Sequence, residues 1–289
     1  MIPPSFDYIA PKTLSEAVAA LGQYENSKVL AGGQSLIPVM RFRLASPSVL
    51  VDLNRVEGLS YIEEKDGWLK IGAMTRESTV EYSQLVREKY PLLADAASVI
   101  SDPIVRNLGT VGGNLANADP GNDQPAVMLA YGAEIVAVGP NGEHVIPITS
   151  FFKGLFESAL VPNEILTEVR IPAAKPRSGG AYLKLERKVG DFATAAVAAQ
   201  VELDTKGKFK SVGIGLTNVG LTAIKATAAE DFLKGKDSSD ENIRQAAQLA
   251  AEAAQPVADV RGSEDYKRSL VKTYTVRALR LAVQRAKGG

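Results

Sequence analysis

The amino-acid sequence predicts an α+β fold built from two domains. Three observations predict it: strand and helix patterns interleave up to about residue 172, a stretch typical of a linker follows, and three consecutive strand patterns then precede a helical tail. The 289 residues are enough for two domains of ordinary size with at least one substantial core.

The first hundred residues predict one helix, three strands and a further helical region. The helix begins near residue 13, with Thr13 or Ser15 as its cap and Leu14, Val18 and Leu21 on one face. The strands are KVLAG, SVLVDL (48–53) and WLKIGAM (68–74), and residues 75–100 are helical in pattern.

Residues 101–126 are rich in Gly, Asn, Asp and Pro, and this composition predicts a loop. PAVMLAYG is then expected to form a short helix, and AEIVAVGPNGEHVIPI a hairpin that turns at Pro-Asn-Gly. EILTEVRIP (164–172) has the pattern of another strand.

A linker is predicted at AAKPRSGG, which places a domain boundary near 175–180. After it, GGAYLKLERK, AAVAAQVELD and FKSVGIGLTNV predict a three-stranded antiparallel sheet, and the tail from 222 is helical. Tyr266, Leu270 and Tyr274 share one face of the last helix, where core packing is expected.

The composition excludes several kinds of chemistry. With no cysteine, the chain has no disulfide, thiol nucleophile or iron–sulfur cluster held by its own thiolates, and one histidine, His144, excludes a multi-His metal site. His144 is expected at a surface or strand edge. The 33 basic and 33 acidic residues cancel, and no basic run predicts nucleic-acid binding. The N-terminus lacks the layout of a signal peptide and no apolar run reaches membrane-spanning length, so a cytoplasmic location is predicted.

Two glycine loops interrupt apolar stretches, the first at Gly32-Gly33-Gln34-Ser35 and the second at Thr110-Val111-Gly112-Gly113-Asn114. Glycine permits positive φ and close approach, so successive N–H groups can bind an anion, with Ser35, Thr110 and Asn114 adding side-chain hydrogen bonds. Two loops about eighty residues apart suggest a pyrophosphate held from both sides; two purely structural turns are the alternative. Neither the G-x-G-x-x-G nor the P-loop fingerprint occurs.

Three segments carry a family resemblance: AGGQSLIPVMRFRLASPSVLVDLNRV, RNLGTVGGNLANADPGNDQPAVMLAYGAE and KLERKVGDFATAAVA. Together they resemble the FAD-binding medium subunit of molybdenum hydroxylases, the family that includes carbon monoxide and xanthine dehydrogenases. The resemblance extends from PPSFDY to DVRGSEDYKRSLV, nearly the whole chain. It implies a two-part FAD-binding domain of the vanillyl-alcohol-oxidase/p-cresol-methylhydroxylase type at 1–175, divided near 55–60, and a C-terminal domain at 176–289.

The resemblance also implies a set of cofactor-binding residues for non-covalent FAD. Pyrophosphate contacts, a hydroxyl contact from Asp123 and contacts near the flavin ring are implied for Ala31, Gly32, Gly33, Gln34, Ser35, Thr110, Val111, Gly112, Gly113, Asn114, Asp123, Leu166, Lys184 and Phe192. The alternatives are that Asp119 and Asp123 only organise a turn and that Lys184 is a solvated surface lysine. Arg106 is expected to approach the flavin or a partner, or else to form a surface salt bridge.

The implied function is electron transfer by a flavoprotein subunit, with the flavin as the redox centre and no catalytic side chain or metal ligand on this chain. A small subunit with two [2Fe–2S] clusters and a large molybdopterin subunit are the implied partners, in a dimer of heterotrimers that could sit at the inner face of the membrane. Two other hypotheses are a self-contained flavin-dependent reductase or oxidase and a flavin-free scaffold. The substrate (carbon monoxide, an aldehyde or an N-heterocycle) and the electron acceptor stay open.

Overall fold

A computed structural model describes residues 2–288, and its architecture is α+β, as predicted. The strands form sheets of three, five, four and two members. The helices are α1 (Leu14–Gln23), α2 (Leu36–Arg41), α3 (Glu77–Tyr82), α4 (Gln84–Lys89), α5 (Pro91–Val99), α6 (Pro103–Leu108), α7 (Val111–Asn117), α8 (Gln124–Tyr131), α9 (Thr227–Leu233), α10 (Asp240–Ala253) and α11 (Glu264–Ala286). The strands are β1 (Asp7–Ile9), β2 (Ser27–Leu30), β3 (Val49–Asp52), β4 (Ile62–Lys65), β5 (Trp68–Gly72), β6 (Glu134–Gly139), β7 (Gly142–Pro147), β8 (Phe152–Gly154), β9 (Glu157–Ser158), β10 (Ile165–Pro172), β11 (Ser178–Leu185), β12 (Ala195–Leu203), β13 (Phe209–Thr217) and β14 (Ile224–Lys225).

The first sheet is small and parallel, in the order β1-β3-β2. Its middle strand β3 is buried throughout because α1 packs beside it, burying Ala17 and Leu21. The start of α1 is fixed by a capping box, in which Thr13 and Glu16 each bond the other's backbone N–H. The predicted cap and helix are confirmed.

The second sheet is antiparallel, in the order β4-β5-β10-β6-β7, with β10 at its centre. Its core also contains buried residues of α3, α4, α5 and α8. The predicted hairpin is β6–β7, and His144 lies on the edge strand β7 with 46% of its side chain exposed. The expectation of a strand-edge histidine is confirmed.

The third sheet has four antiparallel strands, β11-β12-β13-β14, rather than the predicted three. The additional strand, β14, has only two residues, which is too short for a pattern of alternating burial to reveal it. Alternate residues of β12 enter different cores: Ala196 and Ala198 face the core of the second sheet, whereas Val197 and Ala199 face the core beneath α10 and α11.

Helix α8 lies against the third sheet with unusually close main-chain contact. A Cβ atom on Gly213 of β13 would lie 1.8 Å from the Ala130 carbonyl oxygen, and one on Gly215 would lie 2.0 Å from that of Ala126. Only glycine at these positions allows the helix to sit so close. The same helix is buried in the core of the second sheet, so α8 joins the two sheets.

The prediction of a loop over 101–126 is wrong, because the segment contains α6, α7 and the start of α8. The polar and small residues that suggested a loop lie at the ends of these short helices. Asp102 caps α6 with Pro103 in the first turn, Thr110 caps α7, and Ala118 ends α7 in the left-handed region. These helices are six and seven residues long, so their ends dominate the local composition. The helical pattern at 75–100 is also divided, into α3, α4 and α5.

The expected core stripe of α11 is displaced around the helix. Tyr266 is 47% exposed, and Leu270 and Tyr274 are only partly buried. The buried face instead contains Val271, Ala278, Leu279 and Ala282. Small residues are required there because Gly179 of β11 packs directly on the α11 backbone: a Cβ at Gly179 would lie 2.3 Å from the Ala282 carbonyl oxygen.

Candidate cofactor site

The first glycine loop connects β2 to α2 and has unpaired backbone donors. Within the described chain, none of the N–H groups of residues 32–35 donates a hydrogen bond. Gly33 has φ +72°, a left-handed conformation that favours glycine. Ser35 precedes α2 without using its side chain as a cap, so its hydroxyl is also available. Successive N–H groups around a left-handed residue form a concavity that binds anions.

The second glycine loop is the first turn of α7, and the backbone N–H groups of residues 111–114 are already used. Val111 and Gly112 donate to the carbonyls of Thr75 and Ala73 at 3.0 and 2.9 Å, and Gly113 donates to Thr110 Oγ1 at 3.1 Å. The expected run of free N–H groups is therefore absent from residues 111–114 in this structure. Gly112 is needed for packing, because its Cβ would lie 2.6 Å from that of Ala73.

The two glycine loops nevertheless lie against each other. A Cβ on Gly32 would be 2.2 Å from the Leu108 carbonyl oxygen, just before the second loop, and one on Gly113 would be 3.5 Å from Ala31 Cβ. Segments about eighty residues apart in sequence thus form one continuous surface. The absence of a side chain at Gly32 is what permits this contact, whereas a Cβ at Gly113 would only touch Ala31.

Two polar side chains, Asn54 and Arg76, brace the loops and were missed by sequence reasoning. Asn54 Nδ2 donates to the Ala31 carbonyl at 2.9 Å, and Arg76 donates to Asn54 Oδ1 at 2.6 Å. The same guanidinium donates to the Leu108 carbonyl at 2.5 Å. Asn54 lies within a segment that carried the family resemblance, but nothing in the sequence associates Arg76 with either loop.

Asp123 and Lys184 form a buried ion pair behind the second loop. Their side chains are 6% and 3% exposed and lie 3.1 Å apart. Tyr182 donates to the other Asp123 oxygen at 2.6 Å, and Lys184 also donates to the Val99 carbonyl at 2.9 Å. Burial raises the pKa of Asp123, and the nearby Lys184 charge opposes that rise. The alternative that Lys184 is a solvated surface lysine is wrong.

Phe192 and Asp119 belong to loops beside this pair. Asp119 organises a turn, as one hypothesis held, by accepting from the N–H of Gly121 at 2.9 Å. A Cβ on Gly121 would lie 3.0 Å from Phe192 Cδ1, so the half-exposed Phe192 ring covers this turn. Asn122 then joins the turn to the second glycine loop by donating to the Asn114 carbonyl at 2.9 Å.

Leu166 and Arg106 occupy interior positions. Leu166 is 5% exposed at a bulge in β10, next to Thr167, whose carbonyl accepts from Ala73. Arg106 is 7% exposed and pairs with Glu81 at 2.7 Å, so the salt bridge of the alternative hypothesis forms, but in the interior and not at the surface. Its guanidinium also donates to the carbonyls of residues 100 and 101, so Arg106 has a structural role that joins α6 to the preceding loop.

Glu77 is a buried carboxyl that sequence reasoning did not single out. It is 1% exposed in the first turn of α3, and Gln124 donates to its Oε2 at 2.9 Å. Burial raises the pKa of Glu77 to about 7. An isolated Glu in a helical pattern looks like a surface residue, and only the packing of α3 against α5 and α6 and the Gln124 hydrogen bond reveal otherwise.

Neither a metal cluster nor a membrane-spanning helix occurs among residues 2–288. No group of three or more His, Cys, Asp or Glu side chains in that range could hold a metal ion. Every helix there is too short or too polar to cross a bilayer.

Comparison with known families divides the chain between two models. Residues 4–174 match the FAD binding domain in molybdopterin dehydrogenase. Residues 180–282 match the CO dehydrogenase flavoprotein C-terminal domain.

Individual relatives match along almost the whole chain. The carbon monoxide dehydrogenase medium chain of Hydrogenophaga pseudoflava is 44% identical, over 98% of each chain. The glyceraldehyde dehydrogenase medium chain of Sulfolobus acidocaldarius is 34% identical, over 97% of this chain and 99% of the relative. Among solved structures, quinoline 2-oxidoreductase from Pseudomonas putida 86 superposes with a TM-score of 0.92 at 35% identity, over 99% of both chains.

The fold and the paired glycine loops define the cofactor-binding component of a flavin-dependent oxidoreductase. Within that class, the chain belongs to the family of FAD-binding medium subunits of molybdenum hydroxylases. The expected α+β fold, with an FAD-binding domain followed by a C-terminal domain, is confirmed. The residues fit FAD, because the first loop offers unpaired N–H groups where a pyrophosphate needs donors.

Proposed function

We propose that this chain is the FAD-carrying electron-transfer subunit of a heterotrimeric molybdenum hydroxylase. A small subunit with [2Fe–2S] clusters would deliver electrons, a large molybdopterin subunit would oxidise the substrate, and this chain would pass electrons to an external acceptor. Bound FAD supplies the redox chemistry, storing two electrons and exchanging them singly or in pairs. The absence of cysteine agrees with clusters held by another chain.

The run of unpaired N–H groups at residues 32–35 is the observation that carries this proposal. Four donors in a loop with a left-handed glycine have no role within the described chain, and a diphosphate satisfies them. The hydroxyl of Ser35 adds a further donor. The second loop contributes through its close contact with the first and through the Asn114 side chain.

The complete set of proposed cofactor-binding residues keeps all the positions implied by the family resemblance. They are Ala31, Gly32, Gly33, Gln34, Ser35, Thr110, Val111, Gly112, Gly113, Asn114, Asp123, Leu166, Lys184 and Phe192. The buried pair of Asp123 and Lys184 supports a polar role next to the second loop, and Phe192 is exposed enough to contact a ligand. We assign Thr110, Val111 and Gly112 a supporting role, since the Val111 and Gly112 N–H groups and the Thr110 carbonyl and hydroxyl are used internally.

We further propose that the chain divides into domains at 1–175 and 176–289, with a split of the first near 55–60. In support, β10 ends at Pro172 and β11 begins at Ser178, while the first sheet ends at Asp52 and the second begins at Ile62. We also propose a cytoplasmic location and assembly as a dimer of heterotrimers. The relatives' names include carbon monoxide, glyceraldehyde and nicotine, which agrees with a substrate chosen by the large subunit.

The test measures FAD binding by the purified wild-type chain and by two glycine variants. The flavin absorption spectrum and FAD titration are the readouts. Gly33→Ala places a side chain on the left-handed residue of the first loop. Gly207→Ala is the matched control, because Gly207 has φ +78° and no atom near its missing Cβ. Each change costs about 1 kcal/mol of backbone strain. Gly33→Ala also places its Cβ 2.7 Å from Ile37 Cδ1, the end of a flexible side chain, so the free energy of unfolding of both variants is measured alongside binding.

We expect wild type and Gly207→Ala to bind FAD equally and Gly33→Ala to lose at least about tenfold in affinity, since the strained loop no longer aligns its donors. Equal binding by all three would remove the first loop from the site. A folded wild-type chain that binds no FAD, alone or within the assembled complex, would support the scaffold hypothesis instead.

A further inference from the structure

The carboxylate of Asp191 organises the loop that carries Phe192. This Phe192 loop (residues 186–192) connects β11 to β12. Asp191 Oδ1 accepts from the N–H of Phe192 at 2.9 Å and from Arg261 Nη2 at 3.0 Å. Its Oδ2 accepts from Arg187 Nε, within the same loop, at 3.0 Å. One carboxylate therefore joins the main chain at Phe192 to a guanidinium from a distant part of the chain.

The two ion pairs of Asp191 differ in their exposure to solvent. The Arg261 and Asp191 side chains are 21% and 10% exposed, whereas that of Arg187 is 52% exposed. Exposed ion pairs contribute little, because water and salt screen them. Hydrogen bonds from Arg261 and Arg187 lower the pKa of Asp191 to about 2, so the carboxylate is charged at neutral pH. Arg261 is therefore the partner that fixes Asp191 more firmly.

Arg261 is itself held in place near the start of α11. The segment before this helix forms a tight turn, in which Asp259 and Gly262 exchange backbone hydrogen bonds at 3.1 Å. Asp259 also accepts from the Arg261 N–H at 2.8 Å. The buried Lys267 of α11 pairs with Asp259 at 3.0 Å and donates to the Val257 carbonyl at 2.8 Å. The Arg261 guanidinium thus extends from a braced main chain.

The other side of Phe192 is bonded to the turn that its ring covers. Asn218, just after β13, donates from Nδ2 to the Ala193 carbonyl at 2.5 Å and from its N–H to the Pro120 carbonyl at 2.9 Å. Pro120 precedes Gly121, against which the Phe192 ring lies. That turn is in turn bonded to the second glycine loop. Contacts from the C-terminal part of the chain therefore hold the half-exposed ring beside the candidate cofactor site.

We propose that Arg261 is a positioning residue: through Asp191 it keeps the Phe192 ring over one side of the flavin and so limits the access of small oxidants to the reduced cofactor. The inference rests on the proposed function, in which Phe192 contacts the flavin ring. Without the Arg261 guanidinium, Asp191 keeps Arg187 and the Phe192 N–H, both within the loop. The ring would then leave the turn more often, while FAD stays bound at the glycine loops.

The first measurement is hydrogen exchange in the full-length chain without FAD, comparing wild type, Arg261→Gln and Arg187→Gln. Each variant removes one ion pair of Asp191, but only the first removes the contact with the segment before α11. In Arg261→Gln we expect the N–H groups of residues 191 and 192 to exchange about tenfold faster, the effect of losing a charge-assisted hydrogen bond. Arg187→Gln is the matched control and should exchange at the wild-type rate, because its ion pair is exposed.

The second measurement is the rate at which dioxygen reoxidises the chemically reduced, FAD-loaded chain, followed by flavin absorbance. In Arg261→Gln we expect this rate to rise by about threefold to tenfold, in proportion to the opening of the loop, with an unchanged Kd for FAD. In a Phe192→Ala background, Arg261→Gln should have no further effect, because the guanidinium acts through that ring. A general loosening of the fold would instead speed reoxidation in both backgrounds.

If Arg261→Gln does not fold, Asp191→Asn replaces it, because this change weakens the same ion pair from the side of the loop. The same increases in exchange and in reoxidation are then expected.

Four results would overturn the inference while leaving FAD binding intact: unchanged exchange in the Phe192 loop, an equal increase in Arg187→Gln, unchanged reoxidation, or an effect of Arg261→Gln that persists in the Phe192→Ala background. A wild-type chain that binds no FAD, alone or within the assembled complex, would remove the proposed function and the inference together.

Discussion

Individual residues of the site were predictable where backbone chemistry decides their identity. Gly33 has the left-handed φ that a glycine between apolar runs suggested. The packing role of the second glycine pair was not predicted. Gly112 is required by its close contact with Ala73, and a local sequence pattern cannot show a contact between residues so far apart. The sequence did not identify Glu77 or Arg76 as site residues. A single charged residue at a helix end has the same sequence context whether that end is solvated or buried.

Arg76 gives a prediction at this scale. Arg76→Gln removes the hydrogen bonds that join Leu108 and Asn54, so the two glycine loops lose their shared brace. We expect FAD affinity to fall by about tenfold, the effect of losing roughly 1.5 kcal/mol of charge-assisted hydrogen bonding. The measurement is FAD titration at constant pH.

Arg268→Gln is the matched control for Arg76, since Arg268 forms only exposed ion pairs within α11. Its FAD affinity should equal that of wild type. If Arg76→Gln also binds FAD normally, the contact between the loops depends on glycine packing alone.

Elements were predicted well where amphipathic patterns are long and poorly where helices are short. The capped helix α1, the β6–β7 hairpin and strands β10 to β13 agree with their patterns. Helices α6 and α7 were missed because six- and seven-residue helices consist mostly of caps, and their stability comes from tertiary packing. The buried stripe of α11 was displaced because Gly179 of β11 packs directly on the α11 backbone, which requires small rather than aromatic residues there.

The close packing of α8 against β13 gives a prediction at the scale of a secondary-structure element. Gly215→Ala places a methyl group against the Ala126 carbonyl, where the only relief is movement of the α8 backbone. We expect a loss of about 3 kcal/mol in the free energy of unfolding, measured in urea, together with weaker FAD binding.

The reason for the second effect is that α8 begins beside Asp123. Gly207→Ala, in the open turn before β13, should change the free energy of unfolding by only about 1 kcal/mol and leave FAD affinity unchanged. An unaltered FAD affinity in Gly215→Ala would show that α8 can shift without disturbing the site.

The whole molecule is more integrated than its two family models suggest. Helix α8 belongs to the first of them in sequence yet packs on a strand of the second. Arg285 of α11 also reaches back to Asp95 of α5 at 2.6 Å. Sequence patterns predicted a boundary near 175–180 but could not reveal these contacts, because they join residues far apart in the chain.

Unfolding in the presence of FAD tests this integration. At a free FAD concentration of 100 times its Kd, the free energy of unfolding should rise by about 2.7 kcal/mol, because FAD binds only the folded chain. Since α8 is shared by both sheets, we expect one cooperative transition that moves as a whole, in both near-UV and far-UV circular dichroism. Two separate transitions, with only one moved by FAD, would show that the sheets unfold independently.

The glycines of β13 also carry a consequence for genetics. A substitution at Gly213 or Gly215 lies outside the residues that match the FAD-binding model, yet its side chain would clash with carbonyl groups of α8. A screen for flavin-deficient mutants would therefore recover alleles in the C-terminal third of the gene, and cofactor supplementation at high concentration would rescue them better than it rescues alleles in the first glycine loop.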